Sequence, residues 1–175
     1  MIRNKKISPG GGKTKERLEK IQEELEENWG IRPEKETIWK NVYNKDTNRK
    51  ISDFIWRIIH NRVKCGSYFS MIPRWEEKQY CYRCGQTKSV EHILIRCNKN
   101  HQEDIWRRTS KLMTTLGEED WTKPEMDLIV ASGSVQVNSQ NMKEKAIRQR
   151  RIKTVVTETM WTICVRATAL TLQTQ

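Results

Sequence analysis

The chain holds 175 residues, 35% of them apolar and 31% charged, with 33 Lys and Arg against 22 Asp and Glu for a formal net charge of +11. Globular chains average roughly 45–50% apolar and about 25% charged residues, so one modest core is the most this composition supports, and a metal or long helices would help to hold it. No stretch approaches the roughly 20 apolar residues of a membrane span, and the basic start Met1 to Lys6 leads into no apolar run; the expectation is a soluble protein without a secretory signal or membrane contact.

Residues 1–12 end in Ser8-Pro9-Gly10-Gly11-Gly12 and read as a flexible basic arm. Gly12-Lys13-Thr14 ends like a phosphate-binding loop, but Ile7 stands where that loop needs a glycine, which excludes a nucleotide site of this type. Over 13–35, Leu18, Ile21, Leu25 and Trp29 recur at helical spacing, and Gly30 with Pro33 stops the helix. A short helical piece over Thr37 to Tyr43 follows. Next, Ile51, Phe54, Ile55, Ile58, Ile59 and Val63 form the strongest amphipathic stripe in the chain, expected to run to Gly66. His60 lies beside that stripe and reads as a packed or surface histidine.

Beyond a cysteine-rich stretch, Asn100 and Glu103 resemble a capping box opening a helix through Ile105, Trp106, Leu112 and Met113 to Gly117, with Trp106 in the core. Residues 118–140 read as an acidic linker in which Asp127 to Ala131 suit a short strand or buried turn. From 141 to 175 a last helix carries Ala146, Ile152, Val155, Val156, Met160, Ile163, Ala167 and Leu170. The expected fold is mostly α, with at most a short β-hairpin near the cysteines.

Charge falls in blocks: 1–20, 37–80, 81–117 and 143–175 are basic, whereas 21–36 and 118–142 are acidic. Separate positive patches attract polyanions, nucleic acid above all. Tyr80, Tyr82 and Trp75 stand beside Arg74, Arg83 and Lys88, an interleaving of rings and cations suited to unpaired bases. Arg83, Lys88 and Arg96 lie within the cysteine-rich span, and Arg107 and Arg108 follow it. The competing surface is the run Arg148, Arg150, Arg151 and Lys153, which also forms a weak import-like cluster.

Three of five cysteines cluster. Cys81 and Cys84 form a C-x2-C pair followed by Gly85, the spacing at which two thiolates on a tight turn converge on one ion. Two completions exist: His92 with Cys97, giving C-x2-C-x7-H-x4-C, and Cys97 with His101, giving C-x2-C-x12-C-x3-H. The apolar centre of His92-Ile93-Leu94-Ile95-Arg96-Cys97 favours the first, because it can anchor a knuckle on a helical scaffold. Thiolates with imidazole select zinc, and four protein ligands leave no position for a catalytic water. Cys65 and Cys164 stand alone among apolar neighbours and read as ordinary buried thiols.

Trp56-Arg57-Ile58-Ile59-His60-Asn61-Arg62-Val63, Cys81-Tyr82-Arg83-Cys84-Gly85, Ser89-Val90-Glu91-His92-Ile93-Leu94-Ile95-Arg96-Cys97 and the later Ile105-Trp106 together resemble the zinc-binding domain C-terminal to the reverse transcriptase of non-LTR retrotransposons. The resemblance covers roughly residues 36 to 110, within a domain drawn over 36–117, and Glu158 to Ile163 is similar to the helix trailing that domain. It implies zinc ligation by Cys81, Cys84, His92 and Cys97. No paired Asp-Asp of a polymerase, spaced acidic set of an RNase H or endonuclease cluster occurs. The expected protein is therefore a detached, non-catalytic piece of such an element, intracellular and compatible with nuclear residence, binding RNA or DNA through Arg83, Lys88, Arg96, Tyr82, Arg107 and Arg108. Alternatives are a zinc-stapled scaffold for a protein partner such as an intact reverse transcriptase, or an element remnant without function.

Overall fold

The computed structural model describes residues 12–119, 121–137 and 139–172, the side chains of Ser67 and of residues 168–172 excepted. The expected arm over residues 1–11 and the Leu170 side chain lie outside the described residues. Among the described residues seven helices follow one another: α1 (Gly12–Trp29), α2 (Lys35–Val42), α3 (Arg49–Ile59), α4 (Ser67–Ser70), α5 (Gln102–Thr115), α6 (Met126–Ala131) and α7 (Met142–Leu172). Short 3-10 turns at Glu76–Gln79 and Ser132–Ser134 and a π-helical turn at His92–Arg96 lie between them. Extended pairing among the described residues is confined to one antiparallel bridge, Tyr80 with Thr87, beside the cysteines. No helix of the described residues is long and apolar enough to cross a membrane.

The longer helices α1, α3, α5 and α7, and the short α2, form where periodicity places them because each has one apolar stripe to bury. Leu18, Ile21 and Leu25 of α1, Ile38 of α2 and Ile51, Ile55, Ile58 and Ile59 of α3 enter one hydrophobic cluster with Trp106 and Met113 of α5 and Ile152, Val156, Met160 and Ile163 of α7. Ala146, counted in the α7 stripe, is exposed, and Val155 is half-buried.

α3 stops earlier than the stripe suggests. Asn61 adopts φ 51°, the Arg62 amide donates to the Arg57 carbonyl at 2.7 Å, and the Asn61 amide donates to the Ile58 carbonyl at 3.0 Å. These two bonds form a Schellman ending, in which asparagine is one of the few residues besides glycine to take the left-handed position. Val63 therefore packs from the following loop. His60, at the helix end, lies between Trp39 and Trp56 with ring centroids 5.5 and 4.2 Å away, and its Nδ1 is 3.0 Å from the Thr14 hydroxyl. It is a packed histidine, whose pKa burial and neighbouring Arg62 lower.

The segment Asp127 to Ala131 is a helix, where the sequence suits a strand or turn. Leu128, Ile129 and Ala131 are fully buried in it. A short apolar run has no polar side to reveal its period, so a strand and a buried helix read alike. α6 is set against α1 and α2 and, through the 3-10 turn that follows, against α7.

Gly66 makes the turn from α3 into the knuckle, with φ 53° and ψ −125°. A Cβ built there would meet the Lys88 carbonyl oxygen at 2.6 Å, a contact with backbone that no side-chain motion relieves. Gly66→Ala should therefore lower the unfolding free energy by about 2 kcal/mol or more, combining backbone strain with the clash. Chemical denaturation of the two proteins measures this.

Candidate metal centre

The first half of the centre is a tight loop. The Tyr80–Thr87 bridge brings the two sides of the loop together, the Cys81 amide donates to the Gln86 carbonyl at 2.7 Å, and the Gly85 amide donates to the Cys81 carbonyl at 2.7 Å. Gly85 takes φ 75°, which lets the chain reverse directly after Cys84. Cys81 and Cys84 thus face the same side.

The second half is a helical turn of unusual width. Ser89 caps it, its hydroxyl accepting from the His92 amide at 2.9 Å. Residues five apart on an α-helix of 3.6 residues per turn point about 140° away from each other, which would separate His92 from Cys97. Instead the Cys97 amide donates to the His92 carbonyl at 2.8 Å, an i to i+5 bond. The wider turn returns the fifth residue toward the side of the first.

Asn100 Nδ2 donates to the Ile93 carbonyl at 2.7 Å, Trp106 Nε1 to that of Leu94 at 2.8 Å, and Lys123 Nζ to that of Ile95 at 2.9 Å. Gln102 Nε2 reaches the Cys97 carbonyl at 3.4 Å. The carbonyls that the helix end leaves open are thereby taken up by side chains.

The structure brings Cys81, Cys84, His92 and Cys97 together, with ligand atoms all within 4.8 Å of one another. Sulfur at about 2.3 Å and nitrogen at about 2.0–2.1 Å from a tetrahedral zinc ion place sulfurs about 3.8 Å apart and sulfur about 3.6 Å from nitrogen. Observed separations are 3.9 Å for Cys81 to Cys97, 4.0 Å for Cys84 to Cys97, and 3.3 Å for Cys84 Sγ to His92 Nε2. The donor set fits such an ion, with four protein ligands and no vacant position, the pattern of a structural site.

Electrostatics prepare the set unevenly. Burial alone would raise the Cys81 thiol, yet hydrogen bonds from His92 and the amides of Arg83 and Cys84 carry it down to about 6. Cys97, buried and facing that thiolate, is pushed up to about 11 against the Lys99 amide. The Cys81 thiolate is thus favoured at neutral pH, and Cys97 gives up its proton as metal binds.

His101 is not part of the centre. It takes φ 63° before α5, is exposed, and its Nδ1 lies 3.8 Å from Asp104. The capping box expected here is also rearranged. Asn100 Oδ1 accepts from the Gln102 amide at 3.1 Å, while Glu103 reaches out to Lys123 at 2.7 Å. Asn100 is drawn away because its amide group also serves the Ile93 carbonyl. Cys65 and Cys164 are half-buried thiols outside the cluster, and burial pushes Cys164 up to about 12.

The other site residues are dispersed. Arg83 donates to the Tyr82 hydroxyl and the Lys99 carbonyl, each at 2.7 Å, and lies 5.4 Å from the Tyr82 ring centre. Lys88 is half-buried, with its amide bonded to the Gln79 carbonyl at 2.7 Å. Arg96 is paired with Glu91 at 2.6 Å and Arg107 with Asp104 at 2.7 Å, whereas Arg108 is exposed on α5.

The purified chain should contain one zinc ion, lost in His92→Ala and retained in His101→Ala, as read by metal analysis and by the cobalt-substituted absorption spectrum. On chelation, amide exchange should rise first over residues 79–100, where the ion organises the backbone, and later in α1 and α7.

Residues 18–106, half of the chain, match the family described as zinc-binding in reverse transcriptase. Neither a curated protein nor a solved structure matches the chain. The matched span contains the paired cysteines, the wide turn with His92 and Cys97, and the tryptophan that caps it. The chain belongs to the family of zinc-binding domains of reverse transcriptases.

Proposed function

We propose that the chain is a zinc-stabilised nucleic-acid-binding module, derived from the C-terminal region of a retrotransposon reverse transcriptase and without catalytic activity of its own. The observation that carries this reading is a series of three ring–cation pairs between Lys64 and Arg83, from the end of α3 into the zinc loop. Lys64 lies 5.7 Å from the ring centre of Tyr68, Lys78 4.2 Å from that of Trp75, and Arg83 5.4 Å from that of Tyr82. Tyr68, Trp75, Tyr80 and Tyr82 are each about half exposed. Flat exposed rings beside cations offer stacking to unpaired bases and charge to phosphates.

The competing basic run is bonded to the protein's own groups, partly at the surface. Arg148 grips Glu118 through two bonds of 2.8 and 2.7 Å, Arg150 pairs with Asp46 at 3.1 Å, Arg151 donates to the Leu116 carbonyl at 2.8 Å, and Lys153 is buried. Cations held by internal partners release fewer counterions on binding a polyanion. That weighs against α7 and for the knuckle.

A second reading, a scaffold for a protein partner such as an intact reverse transcriptase, is favoured by Met142, Ile147 and Val165, which are exposed on α7. Salt separates the two readings, since only phosphate contacts produce a steep log-log dependence.

Replacing Lys64, Lys78 and Arg83 together by glutamine should weaken binding to single strands of any sequence and reduce the salt slope by up to about two, at roughly 0.7 per lost contact. Trp75→Ala and Tyr82→Ala should each weaken binding by about 1–3 kcal/mol with the slope unchanged. Fluorescence titrations at several salt concentrations read both quantities. Wild-type affinity and slope in the triple variant, with zinc still bound, would remove these ring–cation pairs from the interface.

A further inference from the structure

We propose that the groove between α1, the knuckle and α6 receives an arginine or lysine side chain of a protein partner, with the Asp127 carboxylate as its counter-ion. The groove encloses about 760 Å³ and is separate from the four metal ligands. Ile21 of α1, Val90 of the knuckle and Met126 and Val130 of α6 contribute apolar wall. Asp127 belongs to the same lining, is 1% exposed, and neither of its carboxylate oxygens has a hydrogen-bond partner. Proteins bury a carboxylate this deeply, as a rule, only with a donor or an opposite charge beside it. Here no described residue donates a hydrogen bond to either oxygen.

Of the three cations lining the groove, two are engaged by glutamates, and the third, Arg17, makes no hydrogen bond to Asp127. Arg96 is held by Glu91 at 2.6 Å, and Lys20 pairs with Glu24 at 3.5 Å. Among the described residues lining the groove there are four carboxylates against three cations, in a chain whose overall charge is +11. The groove thus opposes the sign of the whole molecule, which favours a cation and disfavours a phosphate.

A guanidinium suits the floor best, because its planar fork donates to both oxygens of one carboxylate and it is more weakly hydrated than an ammonium. Its methylene stem suits the walls of Ile21, Val90 and Val130. Met126, half-buried, belongs to the same lining, and its unbranched chain can adapt to an occupant. A metal ion is a poorer occupant, since the cluster of three or more metal-ligating groups found among the described residues is the one of Cys81, Cys84, His92 and Cys97.

The test uses the full chain purified with zinc and two small probes, arginine amide and its uncharged isostere citrulline amide, followed by amide chemical shifts. Arginine amide should give saturable shifts in α1, Val90 and α6, with an affinity roughly tenfold above that of citrulline amide, the advantage of a charge-assisted fork. Asp127→Asn should abolish the difference. Asp127→Leu removes a buried unpaired charge, so it should raise the denaturation midpoint of the free protein while abolishing the shifts; a lowered midpoint would show that the carboxylate serves the fold, overturning the assignment. Equal responses to the two probes, or no response in the groove, would overturn it as well. So would groove shifts produced by guanosine monophosphate in place of arginine amide, which would make the groove a nucleotide site. None of these measurements uses an oligonucleotide, so the nucleic-acid reading stands or falls separately.

Discussion

The wide turn from His92 to Cys97 is the constraint on which the rest of the structure depends. An α-helical turn would direct these two ligands to different sides, and the i to i+5 bond of 2.8 Å from Cys97 to His92 keeps them together. Such a turn leaves backbone carbonyls without partners of their own, and burying them unpaired would cost about 1–3 kcal/mol each. Asn100, Gln102, Trp106 and Lys123 supply the donors, and all four lie beyond the turn in sequence. Metal centre and helical core are therefore one construction. Leu94, fully buried, points from the turn into the core, while its carbonyl anchors the equally buried Trp106 of α5. Tryptophans in such positions are worth about 3–5 kcal/mol to a fold, a large share of what a small, apolar-poor chain can gather.

Economy of the same kind governs the charges. In a chain with 33 Lys and Arg, many cations are consumed by the fold: Lys35 bonds Glu19 at 2.6 Å, Lys123 serves both Glu103 and the Ile95 carbonyl, and Arg148 grips a buried Glu118. Exposed pairs of this sort contribute little to stability one by one. Lys64 and Lys78 have no ion-pair partner among the described residues and lie over the Tyr68 and Trp75 rings. Gly66, at the start of the same segment, packs closely against the Lys88 backbone.

Much of the architecture is legible in the chain itself. Leucine and isoleucine spacing marks α1, α3 and the core face of α7, Gly30 and Gly117 mark two helix ends, and C-x2-C with a following glycine marks the metal loop. Four features are not legible in the same way. α6 carries no polar stripe and so hides its period. Asn61 ends α3 two residues before Val63, because a left-handed asparagine costs little and the alternative stop, Gly66, is required for a different turn. Asn100 gives up a standard cap for the Ile93 carbonyl, and the width of the turn at His92 is encoded in no local pattern.

The sequence by itself determined which side chains are able to ligate a metal, that His92 is the favoured fourth ligand, and where the longer helices lie, because ligand spacing, local context and apolar periodicity act over a few residues. Tertiary structure alone decided that Arg148 and Arg150 are bound to Glu118 and Asp46 across 30 and 104 residues, and that Asp127 is buried without a hydrogen-bond partner. These outcomes depend on which distant groups the folded chain sets within about 3 Å of one another, the reach of a hydrogen bond. Separation along the chain carries no record of that distance.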